Sequence, residues 1–449
     1  MSANHNFTAT DYDDALLRLV DLAVNNNVIA VAINAGGTGY TVGDILTVGG
    51  GVAVASLVAT LEVTSETGGV IDGIRVFNCG AYSSNPANPV SVTGGTGADD
   101  ATFNLTFSTQ NWAVNRNVAS TTSTIDFIAI QSGSSGTLVK EREVLLQGPG
   151  NAGADEIYIG FMGIRDTDAV SFSWHLSAAT GFGTLLDYAD QPGFSYTQPN
   201  EIPAFISLSG GAIECWFHIT PRSLKGICRM GTTYTNFITG FLNPYATPTE
   251  YPYPIYIGGS TGKWNELFAT SGVAHSGLSD PKASEATGGN ARGNAGLRTT
   301  AGSWADVHNW EDNGSGSKQQ DLERNVYPAG ALGGGLTFQP SEDEFLPSVT
   351  QNNWDQLIPS NGFPISLNAH LFPSQDSGGD QTNLFATYVW EQTPTFTIFG
   401  ELDDVFWGST IGNNIVSEDR VIVGGEYFRA FQQGNLSDAT TFVFLREDA

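Results

Sequence analysis

The serine motif Gly258-Gly-Ser-Thr-Gly262 has the Gly-x-Ser-x-Gly spacing that can expose a nucleophile, Ser260, at a sharp turn between a strand and a helix. The candidate bases are the downstream histidines His275, His308 and His370. Pro252 and Pro254 interrupt the strand that would have to be buried before the motif, and no alternating strand and helix pattern surrounds it. Because the chain contains 54 glycines, we interpret the motif as an ordinary turn.

Metal-binding residue types are present but are poorly spaced for a site. The six histidines are His5, His175, His218, His275, His308 and His370. None stands in an H-x-H or H-x-x-x-H pair, so zinc is not supported. Acidic residues at 11–14, 342–344 and 403–404 lack the spaced pattern of a calcium loop, and we interpret them as solvated turns.

Tryptophans beside carboxylates could also form a sugar-cleaving site, which needs two carboxylates on a sugar-binding surface. The ingredients are Trp304, Trp310, Trp354, Trp390 and Trp407 with Glu311, Asp355, Glu391, Glu401 and Asp403. Acidic residues are plentiful in this chain, so the pattern favours aromatic core and interface residues beside solvated carboxylates. We therefore predict no catalytic residue, no metal and no cofactor.

One helix is clear in the sequence. Within residues 11–27, the apolar side chains recur at intervals of three and four and form a stripe on one face. The stripe comprises Leu16, Leu19, Val20, Ala23 and Val24. Thr10 is the expected N-cap, ahead of acidic residues that suit the helix dipole.

Residues 28–107 consist of short β-branched runs between glycine pairs, a texture that predicts tight hairpins. Removing them would join the helix to the strand-like continuation at Trp112. We therefore predict a small β module inserted into a host domain. The predicted units are 1–27 as the helix of the host domain, 28–107 as the module, 108–270 as the host β domain, 271–320 as a glycine- and serine-rich loop region, and 321–449 as a C-terminal β region.

The remaining sequence predicts further strands and long connections. Residues 234–242 are apolar and aromatic, and the pattern leaves a short helix and a strand equally open. The densest proline cluster, 244–254, predicts an extended loop that presents Tyr245, Tyr251 and Tyr253. The expected fold class is mainly β: β-sandwich-like host domains with one N-terminal amphipathic helix, an inserted small β domain and long irregular loops.

Charge and cysteine content limit the possible partners. The 449 residues carry 18 Lys plus Arg against 46 Asp plus Glu, a formal net charge of -28. Such a field repels phosphate backbones and anionic lipids, so we expect no nucleic-acid partner. Three cysteines, Cys79, Cys215 and Cys228, are expected to be buried free thiols. The sequence has no signal-peptide pattern and no long apolar run. We therefore expect that the chain folds in a cytoplasm and does not insert into a membrane.

Several stretches resemble virion structural proteins of tailed bacteriophages. They include Glu143-Val-Leu-Leu-Gln-Gly-Pro-Gly150 with Asp155-Glu-Ile-Tyr-Ile-Gly160, and the proline-rich stretch 240–255 with Ile257-Gly-Gly-Ser260. The hairpin Gly36-Gly-Thr-Gly-Tyr-Thr-Val-Gly-Asp44 is similar to small β modules of phage tail and fibre proteins. The resemblance spans residue 16 to about residue 347. It implies a virion component of the tail or baseplate, assembled in the host cytoplasm, with no defined biochemical activity.

These observations lead to three expectations of different kinds. The first is a non-enzymatic structural protein that contacts copies of itself and other virion proteins through Leu16, Leu19, Val20, Tyr245, Tyr251 and Tyr253. The second is a surface module that binds a host receptor or glycan by stacking Tyr40, Phe77 and Tyr82 on sugar rings. Capsid decoration is a structural alternative, and a polysaccharide-degrading enzyme is the least favoured.

Overall fold

The computed structural model describes residues 3–109, 111–119, 138–150, 157–166, 172–195, 204–244, 255–261, 275–276, 295–298, 304–306, 325–328, 385–393, 395–409, 415–432 and 441–447. The described part of the chain is mainly β, as predicted, with one α-helix. One short 3-10 turn, Tyr188–Asp190, accompanies it.

The first elements are β1 (Ala3–Ala9), α1 (Tyr12–Val24), β2 (Val28–Ala35), β3 (Ile45–Val48), β4 (Val52–Ala53), β5 (Thr60–Thr67), β6 (Val70–Asn78), β7 (Tyr82–Ser84), β8 (Val90–Thr93), β9 (Thr102–Phe107) and β10 (Ala113–Ala119). The middle strands are β11 (Leu138–Gly148), β12 (Ile157–Asp166), β13 (Phe172–Ala179), β14 (Ala204–Leu208), β15 (Ile213–Thr220), β16 (Ser223–Met230), β17 (Thr233–Phe241), β18 (Asn243–Pro244) and β19 (Ile255–Thr261). The last strands are β20 (His275–Ser276), β21 (Ala295–Arg298), β22 (Trp304–Asp306), β23 (Asn325–Pro328), β24 (Phe385–Thr393), β25 (Thr395–Ser409), β26 (Arg420–Val423), β27 (Glu426–Gln432) and β28 (Thr441–Arg446).

The strands form four large sheets. The central sheet has the order β1-β15-β16-β17-β19-β21-β22, with β20 paired to β19. A second sheet has the order β10-β11-β12-β13-β14, and the C-terminal sheet has the order β23-β24-β25-β28-β27-β26, with β18 paired to β25. The fourth sheet, β2-β9-β8-β3-β5-β6, lies within residues 28–107, where β4 and β7 form a separate pair.

The central sheet is covered on both faces. On one face, Phe237 meets Phe161 and Trp174 of the second sheet with ring centroids 5.5 and 5.9 Å apart. On the other face, Trp216 meets Phe431 of the C-terminal sheet at 5.1 Å. Because successive residues of a strand point to opposite faces, a strand between two layers is apolar throughout. The near-continuous burial of β15 and β16 follows from this arrangement.

The N-cap of the helix lies one residue later than predicted. Asp11, not Thr10, is the N-cap, and its Oδ1 accepts the backbone N–H groups of Asp13 and Asp14 at 2.9 Å each. The Thr10 N–H donates to Asp14 Oδ2 at 2.8 Å. Side chains at both ends of the first turn therefore accept backbone N–H groups that would otherwise lack a partner.

The segment 28–107 leaves and returns to the rest of the chain at one place. Val28 of β2 is paired with Phe107 of β9. The Ser108 N–H donates to Asn27 O at 2.8 Å, and the Trp112 N–H donates to Ala23 O at 2.9 Å. This is the geometry that an insertion requires. The apolar residues of segment 28–107 join the same core cluster as those of the helix, so the segment is packed against the helix and the strands around it.

A charged cluster joins this module to the C-terminal sheet. Glu62 accepts Arg75 Nε at 2.7 Å and Arg420 Nη1 at 2.7 Å. Glu447 accepts Arg420 Nε at 2.8 Å and also pairs with Arg429. We call these five residues the inter-sheet ion cluster.

One local expectation was wrong, one open alternative was decided and one strand was missed. The motif around Ser260 is not a turn: it continues β19, where Ser260 is paired with Ser276 of β20. The nucleophile turn is excluded for the same reason. Residues 234–242 lie almost entirely in strand β17, because their apolar side chains face covering layers on both sides. Strand β1 was not predicted, since its polar residues Asn4, His5 and Asn6 obscure the pattern.

Candidate functional site

The helix residues that were expected to contact another subunit lie inside the chain's own core. Leu16, Leu19 and Val20 are buried, together with apolar residues of β1, β12 and β15. The amphipathic stripe correctly indicated a buried face, but the neighbouring sheets of the same chain cover it. These residues are therefore not available to a second copy. Tyr245, Tyr251 and Tyr253 lie outside the described residues.

The proposed sugar-stacking residues are also occupied. Tyr40 and Tyr82 are each only 1% exposed, and their hydroxyl oxygens accept backbone N–H groups of Ala101 at 3.3 Å and Ala59 at 2.9 Å. Phe77 is half-buried, and the guanidinium of Arg420 lies 5.0 Å from its ring centre. The glycines around these residues predicted turns that would present the aromatic rings on the surface. The rings of Tyr40 and Tyr82 instead fill the interior of the module. The expectation that Tyr40 and Tyr82 contact a glycan was therefore wrong.

A polar cluster lies buried between the central and C-terminal sheets. His218 on β15 and Lys225 on β16 are directly opposite each other, so their side chains share the face that meets the C-terminal sheet. His218 is 0% and Lys225 is 1% exposed. The short hairpin between them is closed by a 2.7 Å bond between the hydroxyls of Thr220 and Ser223.

The carboxylate of this cluster comes from an irregularity in β25. Neighbouring residues of β24 pair first with Phe406 and then with Leu402, so the intervening residues bulge out of the ladder. Asp404 lies in this bulge with φ +55°, in the left-handed region that costs a non-glycine residue energy. Bulges commonly redirect a side chain. Here the bulge brings Asp404 to the buried lysine.

The distances link three groups in a row. Lys225 Nζ lies 3.4 Å from His218 Nδ1, and His218 Nε2 lies 3.6 Å from Asp404 Oδ2. Lys225 Nζ is 3.9 Å from the same oxygen. Arg446 Nη1 lies 3.5 Å from the other oxygen, Asp404 Oδ1. The imidazole thus bridges the amine and the carboxylate.

The neighbouring Asp403 is held apart from this row. Its Oδ2 pairs with Arg222 Nη2 at 2.9 Å, and its Oδ1 accepts Asn243 Nδ2 at 3.2 Å. The bulge therefore directs two adjacent carboxylates to two different sets of partners.

Burial controls the charge of this cluster. It places the pKa of His218 well below its ordinary value, and the nearby Lys225 lowers it further. Burial also lowers the pKa of Lys225, while Asp404 and Asp403 oppose that shift. The imidazole is therefore neutral at physiological pH. Since an ammonium only donates, Nδ1 accepts from Lys225 and the imidazole proton is on Nε2, facing Asp404. At 3.6 Å from Asp404 Oδ2, Nε2 faces the carboxylate without a hydrogen bond to it.

Sequence reasoning treated His218 as isolated and missed Lys225 and Asp404. A signal for the first pair exists, because the two residues lie symmetrically about the four-residue turn Thr220-Pro-Arg-Ser223 and must face each other in a hairpin. No local pattern indicates that Asp404 joins them.

A second feature is an exposed apolar loop on the outer face of the second sheet. The leucine loop, residues 180–195, connects β13 to the segment before β14. Leu185 is 97% exposed and Leu186 is 40% exposed. Both leucines stand beside the exposed carboxylates of Asp187 and Asp190.

The leucine loop is rigidly held despite this exposure. The buried Gln191 side chain accepts the Gly183 N–H at 2.8 Å and donates to the carbonyls of Leu186 at 3.2 Å and Asp187 at 3.0 Å. Tyr188 lies under the loop, and its hydroxyl is 2.7 Å from that of Ser177. Gly160 makes room for that ring, since a Cβ at this position would collide with the Tyr188 and Ser177 hydroxyls. A loop built in this way presents Leu185 in a fixed position.

The cysteines lie buried as free thiols, as predicted. Cys215 and Cys228 face each other across β15 and β16, with their sulfur atoms 3.9 Å apart. Within the described ranges, no group of three or more His, Cys, Asp or Glu residues is placed to hold a metal ion.

No family model matches this chain, and no curated protein matches it either. In the part of the chain that the structure describes, none of the helices is both long enough and apolar enough to cross a membrane.

Proposed function

We propose that this protein is a non-enzymatic structural component of a tailed-phage particle, located in the tail or baseplate, and that it acts through contacts with copies of itself and other virion proteins. The sequence resemblance supports the kind of particle. The leucine loop supports the mode of action, and Leu185 is the single observation on which that mode depends. Capsid decoration is the structural alternative.

The argument from Leu185 is energetic. Burying a fully exposed leucine side chain stabilises a complex by about 1.5–3 kcal/mol. A flexible loop would lose part of this gain on ordering, whereas the bonds from Gln191 hold the loop in place before any partner arrives. An apolar side chain held rigidly in water is typical of an anchor that enters a pocket on a partner.

The flanking carboxylates indicate the character of that partner. Asp187 and Asp190 follow the leucines in the same loop and are both exposed. A complementary surface would therefore have an apolar pocket with a basic rim. Such charge complementarity selects a partner in a protein whose net charge is -28.

The first experiment compares Leu185→Asp with the wild-type chain. Because Leu185 has almost no contact with the rest of the chain, the variant should fold normally. We expect its self-association, or its binding to purified particles that lack the protein, to weaken by about 10- to 100-fold, since each 1.4 kcal/mol is a factor of ten. Sedimentation velocity and particle incorporation measure the two effects.

Val42→Asp is the matched control, because Val42 is 61% exposed on the module. It should leave assembly unchanged. Micrographs of particles labelled with antibodies against the protein separate a tail or baseplate position from a position on the head. A wild-type chain that stays monomeric and is absent from purified particles would contradict the proposal.

A further inference from the structure

The row formed by Lys225, His218 and Asp404 has the geometry of a bond-forming site. The imidazole contacts the amine with Nδ1 and faces the carboxylate oxygen Oδ2 with Nε2. If the ammonium passes a proton to Nδ1 while Nε2 passes its proton to Oδ2, the pair becomes a neutral amine and a neutral carboxylic acid. The imidazole remains neutral throughout.

The surroundings favour this exchange. Lys225 and His218 are almost completely buried between two sheets, where an ion pair has lost most of its hydration. A neutral amine is a nucleophile, whereas an ammonium is not. The exchange would thus place a nucleophilic amine beside the carboxyl group of Asp404.

We propose that Lys225 and Asp404 condense to form an intramolecular amide bond between Nζ and Cγ. Nζ attacks Cγ, the bond between Cγ and Oδ2 breaks, and Oδ2 leaves as water. Of the three hydrogens of the initial ammonium, one stays on the amide nitrogen, one leaves with Oδ2 and one remains on His218 Nδ1. The second hydrogen of the water is the proton that His218 Nε2 gave to Oδ2. The positive charge of Lys225 and the negative charge of Asp404 are both lost, so atoms and charges balance without an oxidant or another reactant.

Each neighbouring group has a role in this step. Under the proposal, His218 relays the proton once Nε2 and Oδ2, now 3.6 Å apart, come within hydrogen-bond distance. Arg446 Nη1, 3.5 Å from Oδ1, faces the oxygen that becomes negative when Nζ attacks Cγ. The bulge in β25 places Asp404 Oδ2 3.9 Å from the amine, and holding two reacting groups close together removes the entropy cost of bringing them together. In bulk water the equilibrium favours hydrolysis of the amide. The placement of these groups in a buried site favours its formation.

The bond would join β16 of the central sheet to β25 of the C-terminal sheet. It would add a covalent link between two layers that otherwise meet through side-chain packing and ion pairs. This inference does not depend on the proposed function.

The test is the intact mass of the purified full-length chain in denaturing solvent. We expect a mass lower than that of the sequence by one water molecule. Protease digestion should give a branched peptide that joins the segments around residues 225 and 404. Folded wild-type protein with the full sequence mass and no branched peptide would overturn the proposal.

Variants assign the bond to the named residues. Lys225→Arg and Asp404→Ala should each retain the full sequence mass. Asp403→Asn is the matched control, because Asp403 contacts Arg222 and Asn243 instead, and it should still lose one water. His218→Asn should slow the mass change after refolding by at least about tenfold, the size expected for loss of a proton-transfer group. Loss of water in Lys225→Arg would contradict the assignment even if every other variant misfolded.

Discussion

At the scale of single residues, the histidines show how far the interior changes side-chain chemistry. Burial lowers the pKa of His5 and of His175 to about 3 each, and it places that of His218 well below its ordinary value. All three lie in the folded interior as neutral rings. They are therefore packing and hydrogen-bonding residues at neutral pH rather than charged groups.

These shifts predict a loss of stability in acid. Above pH 6.5 both folded and unfolded histidines are neutral and contribute no pH dependence. As the pH falls below 6.5, the unfolded chain binds protons that the folded chain refuses, so each histidine removes about 1.4 kcal/mol of stability per pH unit until its folded pKa is reached. Urea unfolding measured between pH 7 and pH 4.5 tests this.

In His175→Gln the unfolding free energy should depend less steeply on pH, by about 1.4 kcal/mol per pH unit, because one histidine fewer takes up a proton on unfolding. Carboxylates begin to titrate near the lower end of that window, but they do so in both chains, so the difference between variant and wild type reports the histidine. A free energy of unfolding that stays constant between pH 7 and pH 4.5 would show that the rings are accessible to protons.

At the scale of elements, the leucine loop is held by one side chain rather than by a ladder. Gln191 binds backbone groups of Gly183, Leu186 and Asp187, and it adds to the loop's own backbone bonds, such as that from the Leu186 N–H to Gly183 O at 3.0 Å. The loop is thus a local structure whose first turn this one side-chain amide ties together.

Replacing Gln191 with Ala should loosen the leucine loop while the sheets remain folded. Each of the three part-buried bonds that the Gln191 amide makes contributes about 0.5–1.5 kcal/mol. Hydrogen exchange at the Gly183 and Leu186 amides should therefore accelerate by about 10- to 100-fold, which corresponds to local opening. Thr184→Ala, at an exposed position of the same turn, should leave these rates unchanged. Equal protection in Gln191→Ala and wild type would mean that Tyr188 alone holds the loop.

At the scale of the whole molecule, the inter-sheet ion cluster fixes the module against the C-terminal sheet. Glu62 belongs to β5 of the module, and its partner Arg420 belongs to β26. Side chains in this cluster are largely shielded from water, with Glu62 at 13% and Arg75 at 9% exposure. Such shielding makes the loss of one partner costly.

We expect Glu62→Gln to lower the free energy of unfolding by about 1–3 kcal/mol, because two guanidiniums lose their shared carboxylate. Glu426→Gln is the control, since Glu426 pairs with Arg446 at 48% exposure. It should change stability by less than about 0.5 kcal/mol. Urea midpoints of the full chain measure both, and equal midpoints for the two variants would show that the cluster does not stabilise the attachment.

The sequence by itself determined the class of fold and several elements. The stripe through Leu16 and Leu19 marks a helix because only that spacing aligns them on one face. Arg420–Val423 was predicted with its observed bounds, and other strands were placed within a few residues. These features depend on local spacing, and local spacing can be read without knowing what surrounds an element.

Only the tertiary structure decided what each face meets. The same stripe is compatible with a second subunit or with the chain's own sheets, and the structure places it against the sheets. The sequence around Tyr40 and Tyr82 is compatible with a surface role and with a core role. The structure shows that the module buries both rings. His218 and Lys225 could have been paired from their hairpin, but Asp404 comes from a distant strand. Contacts between residues remote in sequence arise from the packing of layers, which periodicity does not encode.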